Sequence, residues 1–133
     1  MKSSHSILIV DDEPKVLRIT RLSLEKAGYE VTTAGDGEEA LEKLRAAPFD
    51  VLVTDVNMPR MSGEELCAAV RTEIFDPAPL IFVATGRTGT NHREWADGIE
   101  NVELMEKPVS LRQLVARIGE RLRAVEADEE KPE

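Results

Sequence analysis

Val51-Leu52-Val53-Thr54-Asp55, running on into Val56-Asn57-Met58-Pro59, is an apolar stretch that stops at one carboxylate. A continuous hydrophobic run of this length reads as a central strand buried on both faces of a sheet. In open α/β sheets ligands bind in the crevice at the carboxyl ends of the strands. The stretch therefore delivers Asp55 to the place in such a fold where chemistry is done.

Upstream, Ser6-Ile7-Leu8-Ile9-Val10 is a second wholly apolar run, halted by Asp11-Asp12-Glu13-Pro14. Pro14 suits the first turn of a helix, where its missing N–H leaves nothing unsatisfied, and Lys15 to Ala27 then has helical periodicity up to the stop at Gly28. Tyr29 to Thr33 alternates in polarity, and Gly35-Asp36-Gly37 makes a turn. Glu38 to Ala47 reads as a helix with Ala40, Leu41 and Leu44 inward, ended by Pro48. Downstream of Asp55 a loop passes through Met61-Ser62-Gly63. Glu64 to Glu73 is a third helix, burying Leu66, Ala69 and Val70. Leu80-Ile81-Phe82-Val83-Ala84 is another apolar strand, ending at Thr85. The glycine-rich stretch 86–98 supports at most a short, mobile helix. Val102 to Met105 alternates ahead of Glu106-Lys107-Pro108. Ser110 is a good N-cap for a last helix with Leu111, Leu114, Val115, Ile118, Leu122 and Val125 in one stripe.

Strands alternating with helices make a parallel sheet covered on both faces. The first, third and fourth strands are apolar throughout and belong in the centre; the second and fifth alternate and belong at the edges. The order 2-1-3-4-5 meets both conditions, so the expected architecture is α/β, a single doubly wound five-stranded parallel sheet of flavodoxin-like type with helices on both faces. Residues 1–5 are a lead, 6–125 the folded domain, and 126–133 an acidic tail expected to be disordered.

Composition narrows the function. A chain of 133 residues, 41% hydrophobic and 32% charged, supports one soluble domain with a real core. Its net charge of −9 argues against a nucleic-acid surface, which needs clustered cations. The single cysteine, Cys67, excludes an internal disulfide and reads as a small buried residue. No apolar run approaches a membrane span, and a cytoplasmic location is expected.

The strand order brings Asp11, Asp12 and Glu13 to one edge with Asp55, Thr85 and Lys107. Alone, Asp11-Asp12-Glu13 would be acids favoured by a helix N-terminus, and Thr85 could simply cap a helix. Together the carboxylates repel one another unless a cation joins them. Hard oxygen ligands suit Mg²⁺, with Mn²⁺ as the substitute, and no His or Cys cluster competes. A hydroxyl and an ammonium beside them can hold the oxygens of a phosphoryl group.

Ile7-Leu8-Ile9-Val10-Asp11-Asp12-Glu13, Asp55-Val56-Asn57-Met58-Pro59 with Gly63, Val83-Ala84-Thr85 and Lys107-Pro108 resemble the receiver domain of bacterial two-component response regulators, particularly its stand-alone chemotaxis-regulator-like type. The resemblance implies that Asp55 is the phosphoacceptor and that Asp12, Asp55 and the main-chain carbonyl of Asn57 ligate Mg²⁺, with Asp11 acting through water. It implies that Thr85 and Lys107 bind the phosphoryl oxygens. The implied partners are a histidine kinase or histidine phosphotransfer protein and a downstream protein target reached by contact alone, with neither nucleic acid nor membrane. Such a domain catalyses only its own phosphorylation and dephosphorylation. Leu104 stands where the family usually has a switch aromatic, so threonine–aromatic coupling is not expected in its ordinary form.

Two alternatives stay open: a receiver cut from a hybrid histidine kinase or larger regulator, and a receiver-like scaffold that is never phosphorylated. On the first helix, Val16, Leu17, Thr20, Leu24 and Ala27 share the inward face while Ile19 and Leu22 fall outside it. Ile19, with Val16 at the edge of the stripe, is the expected contact for the phosphodonor.

Overall fold

The computed structural model describes residues 5–56, 61–73, 78–85, 101–107 and 109–130. Its strands are β1 (Ser6–Val10), β2 (Glu30–Ala34), β3 (Val51–Asp55), β4 (Leu80–Thr85) and β5 (Val102–Glu106). Its helices are α1 (Pro14–Lys26), α2 (Gly37–Ala46), α3 (Gly63–Thr72) and α4 (Leu111–Glu130). The helix expected within 86–98 falls outside the described residues, as do Asn57 and Pro108. All strand pairs are parallel, in the order β2-β1-β3-β4-β5. The alternating sequences thus occupy the edges and the continuous apolar ones the centre, as hydrophobic burial on two faces requires.

Local chemistry sets the helix ends. Pro14 opens α1, and Gly28 closes the turn behind it at φ 102°, a conformation that glycine adopts without a Cβ clash. The Asp36 carboxylate accepts from Glu39 N–H at the start of α2. Ser62 and Glu65 form a reciprocal capping box at the start of α3. That Ser-Gly-Glu-Glu signature is visible in the sequence. Ser110 Oγ accepts from Gln113 N–H ahead of α4, as its placement implied.

Side-chain alternation divides the core in two. Leu8, Val10, Leu52, Ile81 and Val83 pack with α2 and α3, and Cys67 lies fully buried among them. Burial pushes the Cys67 thiol up to about 12, which leaves it a small hydrophobe rather than a nucleophile. Ile7, Ile9, Val51 and Phe82 pack with Leu24 of α1 and with Leu114, Ile118 and Leu122 of α4.

Three expectations need correction. Val53 of β3 and Ala84 of β4 are only half-buried, although both lie in central strands. Val125 is 38% exposed, although it continues the apolar stripe of α4. Residues 126–130, read as the start of a disordered tail, continue α4. Alanine and glutamate are good helix formers, and Glu126 Oε2 lies 3.6 Å from His5 Nε2, beside the start of β1.

Candidate functional site

The odd-numbered residues of β1 and β3 face α1 and α4, and the next residues in that alternation are Asp11 and Asp55. Main-chain bonds carry the ladder beyond the strand ends. Asp11 N–H donates to Ala34 O (3.2 Å), Val56 N–H to Ala84 O (3.0 Å) and Lys107 N–H to Thr85 O (2.8 Å). Sheet geometry therefore sets where the functional side chains start. Asp55 is buried at 6% exposure and Thr85 at 2%, whereas Asp12 is exposed and Asp11 lies between.

Carboxylate oxygens of Asp11, Asp12 and Asp55 all lie within 4.8 Å of one another. Lys107 Nζ donates to Asp55 Oδ2 at 2.5 Å. One ammonium against three carboxylates leaves the group net negative, and the donors are all hard oxygens. Opposite ligands of a Mg²⁺ ion stand about 4.2 Å apart, so small side-chain rotations make the set fit this cation. Thr54 Oγ1 donates to Asp55 O (3.1 Å) and secures the peptide that turns the chain out of β3.

The α3 N-terminus abuts the same peptide. Gly63 N–H donates to Val56 O (2.8 Å), and a Cβ at Gly63 would stand 2.3 Å from Asp55 O and 2.9 Å from Val56 Cα. Only glycine permits this approach. Gly37 is similarly tight against Met61, where a Cβ would meet the Met61 side chain at 2.8 Å. Both glycines can be found in the sequence, but what they abut cannot.

Burial raises the Asp11 carboxyl above its ordinary value of 3.8; the Glu13 N–H opposes this, and the Asp55 and Asp12 charges outweigh the relief from Lys107. Folded Asp11 thus keeps its proton to higher pH than in the unfolded chain. Protonation favours the fold, and stability from this group is lost as pH rises through the folded pKa. At neutral pH the metal-free site is destabilised by its own charge. Burial lowers Lys107, but its bond to Asp55 and the charges of Asp55, Asp11 and Glu13 more than compensate, and the ammonium is held above its ordinary 10.5. Its contribution is complete below that value and is lost only as pH climbs through the raised one. Asp11→Asn, which keeps the acceptor for Glu13 N–H, is expected to raise the melting temperature of the metal-free protein at pH 7 and to shrink the rise produced by Mg²⁺. Thermal melts with and without Mg²⁺ check both signs, and a fall in the metal-free value would contradict the electrostatic account.

Sequence reading placed Asp11, Asp12, Asp55, Thr85 and Lys107 at one edge, and all five lie at the carboxyl end of the sheet. Asn57 lies outside the described residues. Leu104 is half-buried and packs toward the α2–α3 side of the core. Val16 is 40% exposed, Ile19 56% and Leu22 52%, so the apolar outer face read on α1 is present.

The geometry defines a class of doubly wound parallel α/β folds with an acidic group and a lysine at the carboxyl edge of the sheet. The sequence comparison makes that class definite: the response regulator receiver domain family matches residues 7–119, and the chain belongs to it. It is 39% identical over 116 residues to the response regulator receiver protein CpdR of Brucella abortus, covering 87% of this chain and 95% of that one. It is 37% identical over 125 residues to the alkaline phosphatase synthesis transcriptional regulatory protein PhoP of Bacillus subtilis, covering 90% of this chain but 49% of that protein. It therefore spans about half the length of that relative. Among solved structures, a CheY-like response regulator receiver domain protein from Methanospirillum hungatei superposes with a TM-score of 0.84 at 30% identity, covering 95% of this chain and 99% of that one. The chain is a two-component signal-transduction domain.

Proposed function

We propose that this receiver accepts a phosphoryl group on Asp55 from a phosphohistidine of a histidine kinase or histidine phosphotransfer protein. The observation that carries the reading is Asp55 itself, buried at 6% exposure, bonded to Lys107 and grouped with Asp11 and Asp12. A carboxylate oxygen of Asp55 attacks phosphorus as the phosphorus–nitrogen bond to imidazole breaks, and the imidazole leaves with a proton. Lys107 then bonds an oxygen of the transferred group in place of Asp55 Oδ2, and Thr85 supplies a hydroxyl donor to another. Asp11, Asp12 and Asp55, with the Asn57 carbonyl, would hold Mg²⁺ (or Mn²⁺), which supplies positive charge against the spreading phosphoryl charge. Water later hydrolyses the acyl phosphate, so the domain acts only on its own modification.

Phosphorylation biases a two-state equilibrium sensed by a downstream protein, with Leu104 rather than an aromatic on β5. Among the described residues no helix is long and apolar enough to cross a membrane. A cytoplasmic site of action is the proposed one, since phosphotransfer partners and a lone reduced cysteine belong there. Contact with nucleic acid is not proposed for these 133 residues. Relatives named as transcriptional regulators are about twice as long, and a longer protein could bind DNA elsewhere.

Incubation with Mg²⁺ and acetyl phosphate, read by intact mass, is expected to add one phosphoryl group that Asp55→Asn abolishes completely. Failure of the parent protein to label favours an unphosphorylated scaffold, and labelling of the Asn variant at an equal rate moves the acceptor away from Asp55. For donor recognition, Ile19→Asp places a charge on the exposed α1 face at a 56% exposed position. Transfer from the cognate protein donor is expected to slow about tenfold or more, the size of a modest interface contact, while acetyl phosphate labelling is unchanged. Equal loss in both assays removes Ile19 from the interface.

A further inference from the structure

Central strands in a doubly wound fold are normally roofed by helices along their whole length. Here, among the described residues, the roof over the carboxyl end leaves a gap. Between α1 and α4 lies a cleft of about 350 Å³ whose floor is the sheet itself at Val53, Phe82 and Ala84. On that floor Val53 and Ala84 are partly exposed, while Phe82 beside them is buried. Thr20 of α1 and Leu114 of α4 form facing walls. The mouth carries Asp11, Glu13 and Lys107. Since the ammonium of Lys107 is engaged by Asp55 at 2.5 Å, the charge that the mouth offers a visitor is carboxylate.

We propose that this cleft binds a small amphipathic cation: a compact aromatic or aliphatic body on the sheet floor, with an ammonium or guanidinium at Glu13 and Asp11. The volume falls within the roughly 300–1,000 Å³ of small-molecule sites, and the apolar lining with few polar groups at one end matches their usual make-up. Glu13 is free to serve because its side chain makes no capping bond at the start of α1. The stem of Lys107 is shared between the cleft and the acidic group, so an occupant touches the side chain that pairs with Asp55. Val16 and Ile19 also border the cleft, and an occupant there competes with the docking of a protein donor. That regulatory consequence rests on the phosphotransfer reading above; the binding does not.

The test is a titration of the whole ¹⁵N-labelled protein in metal-free buffer, the state in which Lys107 is bonded to Asp55, with phenethylamine, phenylacetate and methylamine in parallel. Phenethylamine is expected to shift the amides of Val53, Phe82 and Ala84 saturably and to bind about tenfold more tightly than phenylacetate, the ratio one charge-assisted contact supplies. Methylamine, a cation without the body, should leave those amides unmoved. Glu13→Gln, at an exposed position, should bring the amine and the acid within about twofold of each other. Ala84→Leu should fill the floor and abolish the shifts; if that variant does not fold, the Glu13→Gln and methylamine arms decide. Equal affinity for amine and acid overturns the cationic class. Shifts confined to the exposed face of α1, or none with any probe, overturn the site and leave the cleft to a side chain of a protein donor. Loss of acetyl phosphate labelling has no bearing on these readouts, so the two readings fail separately.

Discussion

Gly63→Ala is expected to destabilise the protein by about 1–3 kcal/mol, toward the upper end because the obstacle is main chain rather than a flexible side chain. The added Cβ would lie 2.3 Å from Asp55 O and 2.9 Å from Val56 Cα. Relief requires that α3 withdraw from the end of β3 or that the Asp55–Val56 peptide turn. Either movement strains the Gly63 N–H to Val56 O bond and re-aims the carboxylate that Lys107 grips. Thermal unfolding should therefore show a loss of several degrees, with acetyl phosphate labelling of Asp55 falling by more than the unfolded fraction explains. Gly35→Ala is the matched control. Its Cβ would make only an ordinary 3.5 Å contact with the Glu39 side chain, so it should melt and label like the parent. Equal behaviour of the two variants would show that the close approach at Gly63 is dispensable.

Lys107→Ala should separate function from stability in the opposite way. The lysine side chain is 41% exposed, and its main-chain bond to Thr85 survives truncation, so the fold should be retained. The loss falls on charge. Removing one positioned donor to a developing anion typically costs about 10²–10³-fold in rate, and phosphoryl transfer to Asp55 should slow by that order. Meanwhile Asp55 Oδ2 is relieved of its competing cation, and Mg²⁺ should bind more tightly to Asp11, Asp12 and Asp55 by calorimetry. Slower labelling together with tighter metal binding is a combination that general damage cannot produce. Weaker metal binding would mean that Lys107 organises the carboxylates instead of competing with the ion.

The contrast between these two positions marks how much of the site was legible in the sequence. Lys107 could be found from spacing, because it follows an alternating strand and the strand order brings it beside Asp55. Gly63 could be noticed as a motif residue, but its reason is a contact between the end of one element and the start of another. The Ser62–Glu65 capping box is a purely local signal, a serine followed three residues on by a glutamate. The extension of α4 through residues 126–130 went against a reading by charge, since an acidic run without an apolar side can still be helical when its residues favour helix and a longer helix supports it.

The sequence by itself determined the order of the sheet, the two faces of its core and the set of residues at its carboxyl edge. Those follow from periodicity and from where apolar runs stop, which are properties of neighbouring residues. Only the tertiary structure decided that three carboxylates come within 4.8 Å, that Lys107 takes one oxygen of Asp55, and that the helical roof fails over Val53 and Ala84. The first two depend on how the ends of β1, β3 and β5 are staggered in the sheet, and the third on how far apart α1 and α4 settle on it; both are balances of packing summed over the domain, which no local pattern along the chain encodes.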